Sequence, residues 1–114
     1  MLNPEQREAL LTVAEDSIRQ GFIDFSPLAI NLESFEPHLR LPGACFVTLH
    51  RRGELQGCIG SLEKYRSLVE DVAENAFAAA FRDPRFLPLR SGQWPGLDLE
   101  ISVLGPAEPM IFCS

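Results

Sequence analysis

Residues 68–81 restrict how this chain can fold more than any other segment. At helical spacing they place apolar side chains on two adjacent ridges: Leu68, Val72, Ala76 and Ala80 on one, and Val69, Ala73, Phe77 and Phe81 on the other. Ser67 and Glu70 match a capping box, and Pro84 predicts the helix end. Because the alanines are small, we expect the helix to pack closely on a sheet. The residues expected outside this apolar face are Asp71, Glu74, Asn75 and Arg82.

Three segments have the pattern of strands. Residues 44–50 are apolar on both faces, as in a central strand, and residues 55–59 return after a turn at 51–54 in which Gly53 supplies any positive φ. Residues 97–104 alternate between apolar and polar, as in a half-buried antiparallel strand. The fold class predicted for residues 1–114 is therefore one α+β domain, with helices packed on a largely antiparallel sheet.

The N-terminal third predicts one helix and one irregular segment. Asn3, Pro4 and Gln6 match an N-cap, a first helical position and a capping-box partner, and Gly21 is expected to end the helix. Residues 22–42 carry three prolines and three phenylalanines, which excludes a long regular element and predicts a segment packed onto the core.

Composition excludes several classes of function. The net charge is −6 and no basic run exceeds two residues, so nucleic-acid binding is not expected. The sequence has no apolar run of about 18 residues and no signal-peptide pattern, so we expect a cytoplasmic protein without a membrane partner. Three cysteines and two histidines without ligand spacing predict no disulfide framework, no metal and no cofactor.

Leu55-Gln56-Gly57-Cys58-Ile59-Gly60 is the main candidate site. Glycine lets another backbone or a ligand approach closely. A strand with two glycines beside a cysteine loses side-chain packing and β propensity at both positions. A reactive or modified Cys58 is one interpretation. The other is a buried structural cysteine between glycines that form a bulge and a turn.

Hairpin register decides whether His50 can assist Cys58. A two- or four-residue loop would pair Cys58 with Val47 and turn it away from His50, whereas a three-residue loop would pair it with Thr48 and share the His50 face. Even then the two side chains would lie two pairs apart, near the limit of their reach.

Asp83 and Arg85 form the second candidate site. Arg85 lies in the Asp83-Pro84-Arg85-Phe86 turn, where Asp83 could hold it through a bidentate pair. Arg85 could bind an anionic group near Cys58, or the pair could simply lock the turn.

These segments resemble the AMMECR domain family. Residues 55–60 are similar to its Leu-Arg-Gly-Cys-Ile-Gly signature, residues 83–88 to its Asp-x-Arg-Phe-x-Pro segment, and residues 99–104 to a strand that leads to a Pro-Glu-Pro-like turn, here 106–109. Gln56 replaces the usual arginine, which removes a charge beside the thiol. Family members also continue for several dozen residues, so we expect the C-terminal part of the pattern to be missing here.

The resemblance implies a partner system. Bacterial and archaeal members are often encoded beside, or fused to, a MEMO-type protein and a radical-SAM enzyme, so this chain would be a processing partner or a modified substrate acting through Cys58. The alternative is a non-enzymatic interaction or regulatory module that binds a protein or a small anion. The predicted binding residues are Gln56, Gly57, Ile59, Gly60, Asp83 and Arg85. Open sheet edges would allow oligomerisation.

Overall fold

The computed structural model describes residues 2–104 in full and residues 109–113 as backbone. Its α-helices are α1 (Pro4–Asp24), the single turn α2 (Pro37–Arg40) and α3 (Leu68–Phe81), and its strands are β1 (Pro42–Arg51), β2 (Glu54–Gly60), β3 (Arg66–Ser67), β4 (Leu97–Leu104) and β5 (Pro109–Cys113). Two short 3-10 helices span Leu32–Ser34 and Ser91–Gln93.

The sheet is antiparallel, with strand order β2-β1-β4-β5, and β3 pairs with the first residues of β1. The α+β prediction is therefore confirmed. β4 lies between β1 and β5 and is paired on both sides. The predicted turn at 106–109 lies mostly outside the described residues, apart from Pro109 at the start of β5.

Helix α3 is the centre of the core, because it packs on β1 and β2 on one side and on α1 on the other. Alternate residues of β1 and β4 are buried beneath it, and β1 pairs them in register: Val47 with Ile101 and Leu49 with Leu99. The other sheet face is half-buried and carries Phe46, Thr48 and His50 from β1.

Both predicted N-caps are confirmed. The Asn3 side chain accepts from the Gln6 N–H while the Gln6 side chain accepts from the Asn3 N–H, each at 2.8 Å. Ser67 Oγ accepts from the Glu70 N–H at 3.2 Å. Each cap satisfies a backbone donor that the first helical turn leaves unpaired.

The predicted stop at Gly21 is wrong, since α1 continues to Asp24 and ends at Phe25 in the left-handed conformation (φ 57°). Gly21 serves helix packing instead. A Cβ at this position would lie 2.1 Å from the Phe81 ring of α3, so glycine lets the two helices approach.

Candidate functional site around Cys58

A β-bulge at Gln56 sets the orientation of Cys58. The β1–β2 turn has two residues, Arg52 (φ 54°) and Gly53 (φ 84°), whose positive φ angles are those of a type I′ turn. Pairing runs from Arg51–Glu54 to His50–Leu55 and then jumps to Leu49–Gly57, which leaves Gln56 as the extra residue.

The bulge changes the register that the loop length alone would give. A regular two-residue hairpin would place Cys58 opposite Val47 on the buried face, but the extra residue places it opposite Thr48. Cys58 therefore lies on the sheet face away from α3. Its Sγ is 3.2 Å from the Thr48 hydroxyl, and among the described contacts it makes no hydrogen bond with His50.

The glycines beside Cys58 are explained by packing. A Cβ on Gly57 would lie 1.9 Å from the Ala79 carbonyl oxygen of α3, and one on Gly60 would lie 2.0 Å from the Phe46 ring. Gly57 is buried on the helix-facing side, and Ile59 pairs with Val47 on that same side. Of the predicted residues, Gly57 and Ile59 therefore face away from the Cys58 thiol.

Asp83 and Arg85 together hold the main chain of Cys58 at the free edge of β2. The Asp83 carboxylate accepts from the Cys58 N–H at 3.0 Å, and Arg85 Nη2 lies 3.4 Å from the Cys58 carbonyl oxygen that it donates to. Two donor atoms of Arg85 also reach the carboxylate: Nε to Oδ1 at 3.1 Å and Nη2 to Oδ2 at 2.8 Å. The predicted bidentate pair is confirmed, and it occupies part of an otherwise unpaired strand edge.

The pair shifts both titrations. Hydrogen bonds from Arg85 hold the pKa of the Asp83 carboxyl well below its usual range, against an opposing effect of burial and with help from the Cys58 and Arg85 N–H groups. The same hydrogen bonds raise the pKa of Arg85. Asp83 is buried, whereas the Arg85 side chain is 58% exposed, so one partner faces solvent.

Asp83→Asn is expected to reduce stability in a pH-dependent way. Because the folded-state pKa is lowered, the carboxylate stabilises the fold above the unfolded pKa of about 3.9 and loses that contribution as the pH falls through the folded value. The difference in unfolding free energy between the wild type and Asp83→Asn, measured by urea titration from neutral to acidic pH, should therefore shrink below pH about 4.

Arg85→Gln provides the control for that experiment. The hydrogen bonds from Arg85 are the largest cause of the lowered Asp83 pKa. In the Arg85→Gln background, the loss of unfolding free energy caused by Asp83→Asn should therefore depend much less on pH. A difference between the wild type and Asp83→Asn that stays constant with pH would contradict this assignment.

A groove opens beside this pair, and we call it the Arg85 groove. It has a volume of about 330 Å³ and lies between Gln56 of β2, the 85–88 segment, Arg90, and Gln93 of the second 3-10 helix. The hairpin and the loop after α3 thus form the walls of the groove. Cys58 itself is half-buried and is not among the lining residues.

A second polar cluster was missed by sequence reasoning. Asp71 is fully buried and accepts four hydrogen bonds: from the Cys45 N–H, Ser61 Oγ, Arg66 Nε and Asn75 Nδ2. Asn75 is also buried and donates to the Cys45 carbonyl oxygen at 2.9 Å. Asp71 and Asn75 were expected outside the apolar face of α3, and the structure shows that they are nevertheless buried, because α3 is covered on more than one side. Their i, i+4 spacing places both on one side of α3, and this was the available signal.

The two cysteines with described side chains differ in environment. Cys45 is fully buried, and burial raises the pKa of its thiol far above the usual range, whereas Cys58 is half-buried. Within residues 2–104, no three His, Cys, Asp or Glu side chains lie close enough to hold a metal ion. No helix in the described part of the chain is long and apolar enough to cross a membrane.

Comparison with known proteins places this geometry in a family. The AMMECR1 family model matches residues 11–113. The chain belongs to the AMMECR1 family. A Sulfolobus acidocaldarius relative is 36% identical over 112 residues, covering 94% of this chain and 48% of the relative. A Methanothermobacter thermautotrophicus relative is 45% identical over 65 residues, covering 57% of this chain and 34% of the relative.

A solved structure has a similar fold. The crystal structure of the uncharacterized protein PH0010 from Pyrococcus horikoshii matches with a TM-score of 0.84 at 30% identity, covering 92% of this chain and 54% of PH0010. The chain spans between about a third and about half of the length of these three proteins.

Proposed function

We propose that this AMMECR1-family chain is a binding module that recognises a protein partner through the surface around Cys58, without covalent chemistry at the thiol. The observation that carries the proposal is that Cys58 is held at three points: its N–H by Asp83, its carbonyl oxygen by Arg85 and its Sγ by Thr48. Such restraint fixes the shape of a docking surface before binding, which reduces the entropy cost of association.

The contacts of the thiol argue against nucleophilic catalysis. A nucleophilic cysteine needs a base within hydrogen-bond reach, and the group that meets Sγ is the Thr48 hydroxyl, which is too weak a base for that role. Asp83 lies nearby, but its oxygens already accept from two backbone N–H groups and from the Arg85 guanidinium. Gln56, which stands where the family signature has arginine, is uncharged.

The partner we propose is the MEMO-type protein of the same genome. The family resemblance of residues 55–60 and 83–88 supports this choice, since it implies a system containing a MEMO-type protein and a radical-SAM enzyme. This chain has no iron–sulfur motif, so radical chemistry would belong to the partner enzyme.

A second candidate function uses the thiol itself. Here the chain would be a processing partner or a modified substrate in the same system, with Cys58 as the residue that reacts. The half-buried position of Cys58 on the sheet face away from α3 favours this candidate over a buried structural cysteine.

Titration calorimetry of this chain with the MEMO-type protein tests both candidates. We expect binding that Cys58→Ser leaves unchanged, because serine keeps the size and the hydrogen bond to Thr48. Leu87→Asp, at an 86% exposed position in the Arg85 groove, should weaken binding about tenfold or more. Leu41→Asp is the matched control, since Leu41 is 54% exposed next to the start of β1, at the other end from the hairpin turn.

The variants separate the outcomes. Loss of binding in Cys58→Ser would favour the second candidate over the binding module. No binding by the wild type would overturn the proposed partner, and an equal effect of Leu87→Asp and Leu41→Asp would overturn the proposed surface.

A further inference from the structure

The walls of the Arg85 groove carry hydrogen-bond donors. Arg85 uses Nε and Nη2 on Asp83 and on the Cys58 carbonyl oxygen, and among the described residues its Nη1 has no acceptor. Gln93 accepts the Arg90 N–H at 2.8 Å with its Oε1, which leaves its side-chain amide nitrogen as a donor. The exposed guanidinium of Arg90 adds further donors.

The orientation of these donors is fixed before a ligand arrives. The Arg85 guanidinium is held in plane by Asp83 and lies 5.3 Å from the centre of the Phe86 ring. The 3-10 helix that carries Gln93 is attached to β1, because Arg51 Nε donates to the Gln93 carbonyl oxygen at 3.0 Å. A group with planar acceptors would therefore bind with little loss of side-chain freedom.

The charge of the groove selects among anions. Arg85 and Arg90 line the groove, and no carboxylate is among its lining residues. Because Asp83, outside the lining, neutralises Arg85, the groove has one net positive charge. One charge matches a carboxylate. One positive charge compensates a phosphate dianion or a nucleic-acid backbone poorly. The net charge of the chain, −6, also repels these multiply charged anions more strongly than it repels a single carboxylate.

The groove also offers apolar surface next to those donors. Leu87 is 86% exposed and Phe86 is half-buried. A free small carboxylate would leave this surface in water, whereas a peptide with an apolar residue beside its acidic residue would cover it.

We propose that the Arg85 groove binds a carboxylate side chain of a peptide segment on the partner protein, with an apolar residue of that segment on Leu87 and Phe86. This inference rests on the proposed function, because it names the chemistry by which the same surface recognises its partner. Arg90 and Gln93 are then recognition residues in addition to Arg85.

Amide chemical-shift titration of the full chain tests the ligand class with defined probes at constant ionic strength. The acidic probe is the blocked dipeptide acetyl-Leu-Glu-amide, its neutral counterpart is acetyl-Leu-Gln-amide, and sodium acetate and inorganic phosphate represent free anions. We expect acetyl-Leu-Glu-amide to shift the backbone amides of Arg85, Arg90 and Gln93, and the other three probes to bind more weakly.

Variants locate the binding within the groove. Arg90→Gln should weaken acetyl-Leu-Glu-amide about fivefold, the upper end for an exposed ion pair. Arg40→Gln is the matched control, because Arg40 is exposed on α2 and does not line the groove. Leu87→Ala should weaken binding of acetyl-Leu-Glu-amide but leave binding of acetate unchanged.

Several results would overturn the inference. Equal binding of the neutral dipeptide would show that charge is not recognised. Acetate as tight as the acidic dipeptide would assign the groove to a small free carboxylate, and tighter phosphate would assign it to a different anion. If acetyl-Leu-Glu-amide does not bind but Leu87→Asp still weakens binding of the MEMO-type protein, the proposed ligand class is wrong and the proposed function is retained.

Discussion

Gly57→Ala is expected to destabilise the protein by about 3 kcal/mol or more, at or above the usual upper end for overpacking. The added Cβ would lie 1.9 Å from the Ala79 carbonyl oxygen and 2.9 Å from its carbonyl carbon. Both atoms belong to the backbone of α3, so no side-chain rotation relieves the clash. Either β2 must leave the sheet or α3 must move away from it, and each change disrupts the centre of the core.

Two other glycines provide graded controls for this prediction. At Gly60 an added Cβ meets the Phe46 ring, a side chain that can turn on the half-buried sheet face, so Gly60→Ala should cost less than Gly57→Ala. At Gly92 nothing lies within 4 Å of an added Cβ, so Gly92→Ala should be close to neutral.

Thermal unfolding monitored by circular dichroism measures the three variants. Gly57→Ala should lower Tm by more than about 10 °C for a domain of this size, with Gly60→Ala intermediate and Gly92→Ala near the wild type. A Gly57→Ala protein that melts with the wild type would show that the helix and the strand are not in this close contact.

Local sequence signals predicted most of the fold. The caps at Asn3 and Ser67, the turn at Gly53 and the alternation along β4 each depend on residues a few positions apart, and each is present in the structure. Interactions within one turn of a helix or one hairpin are readable from spacing because the chain itself brings those residues together.

The features that were not predicted correctly all depend on contacts between segments distant in sequence. Gly21 lies inside α1 because Phe81 of α3 packs against it, and Asp71 is buried because β1 and the 61–66 segment supply its donors. Spacing along α3 marks which residues share a face but does not reveal that two faces are covered.

The candidate site shows the same division. The sequence pointed to Cys58, Asp83 and Arg85, and the structure brings these three together. The sequence did not predict the bulge at Gln56, because the length of the hairpin loop is compatible with a regular register. This bulge determines on which face of the sheet Cys58 lies. The sequence also did not single out Arg90 and Gln93, whose place beside Arg85 follows from the path of the loop after α3.

Asp71→Ala is the other substitution with a large expected effect, about 3–5 kcal/mol of lost stability. The carboxylate accepts from Arg66 Nε and Ser61 Oγ at 2.7 Å and from the Cys45 N–H at 2.8 Å, and it has no exposed surface. Alanine would leave a buried backbone N–H of β1 without an acceptor and would leave Arg66, 23% exposed, without its counterion. Urea unfolding measures the loss.

The loss of stability in Asp71→Ala should come from the hydrogen-bond partners that are left unsatisfied, and not from a change of helix propensity at this position. Glu74→Ala on the same helix is the control. It should change stability little, because Glu74 is half-buried and no described residue forms a hydrogen bond or ion pair with its side chain. Adding Arg66→Met to Asp71→Ala should recover part of the loss, since no uncompensated guanidinium then remains near the core. If Arg66→Met and Asp71→Ala instead add independently, the ion pair is not what stabilises this end of the sheet, and the hydrogen bond to the Cys45 N–H carries the effect.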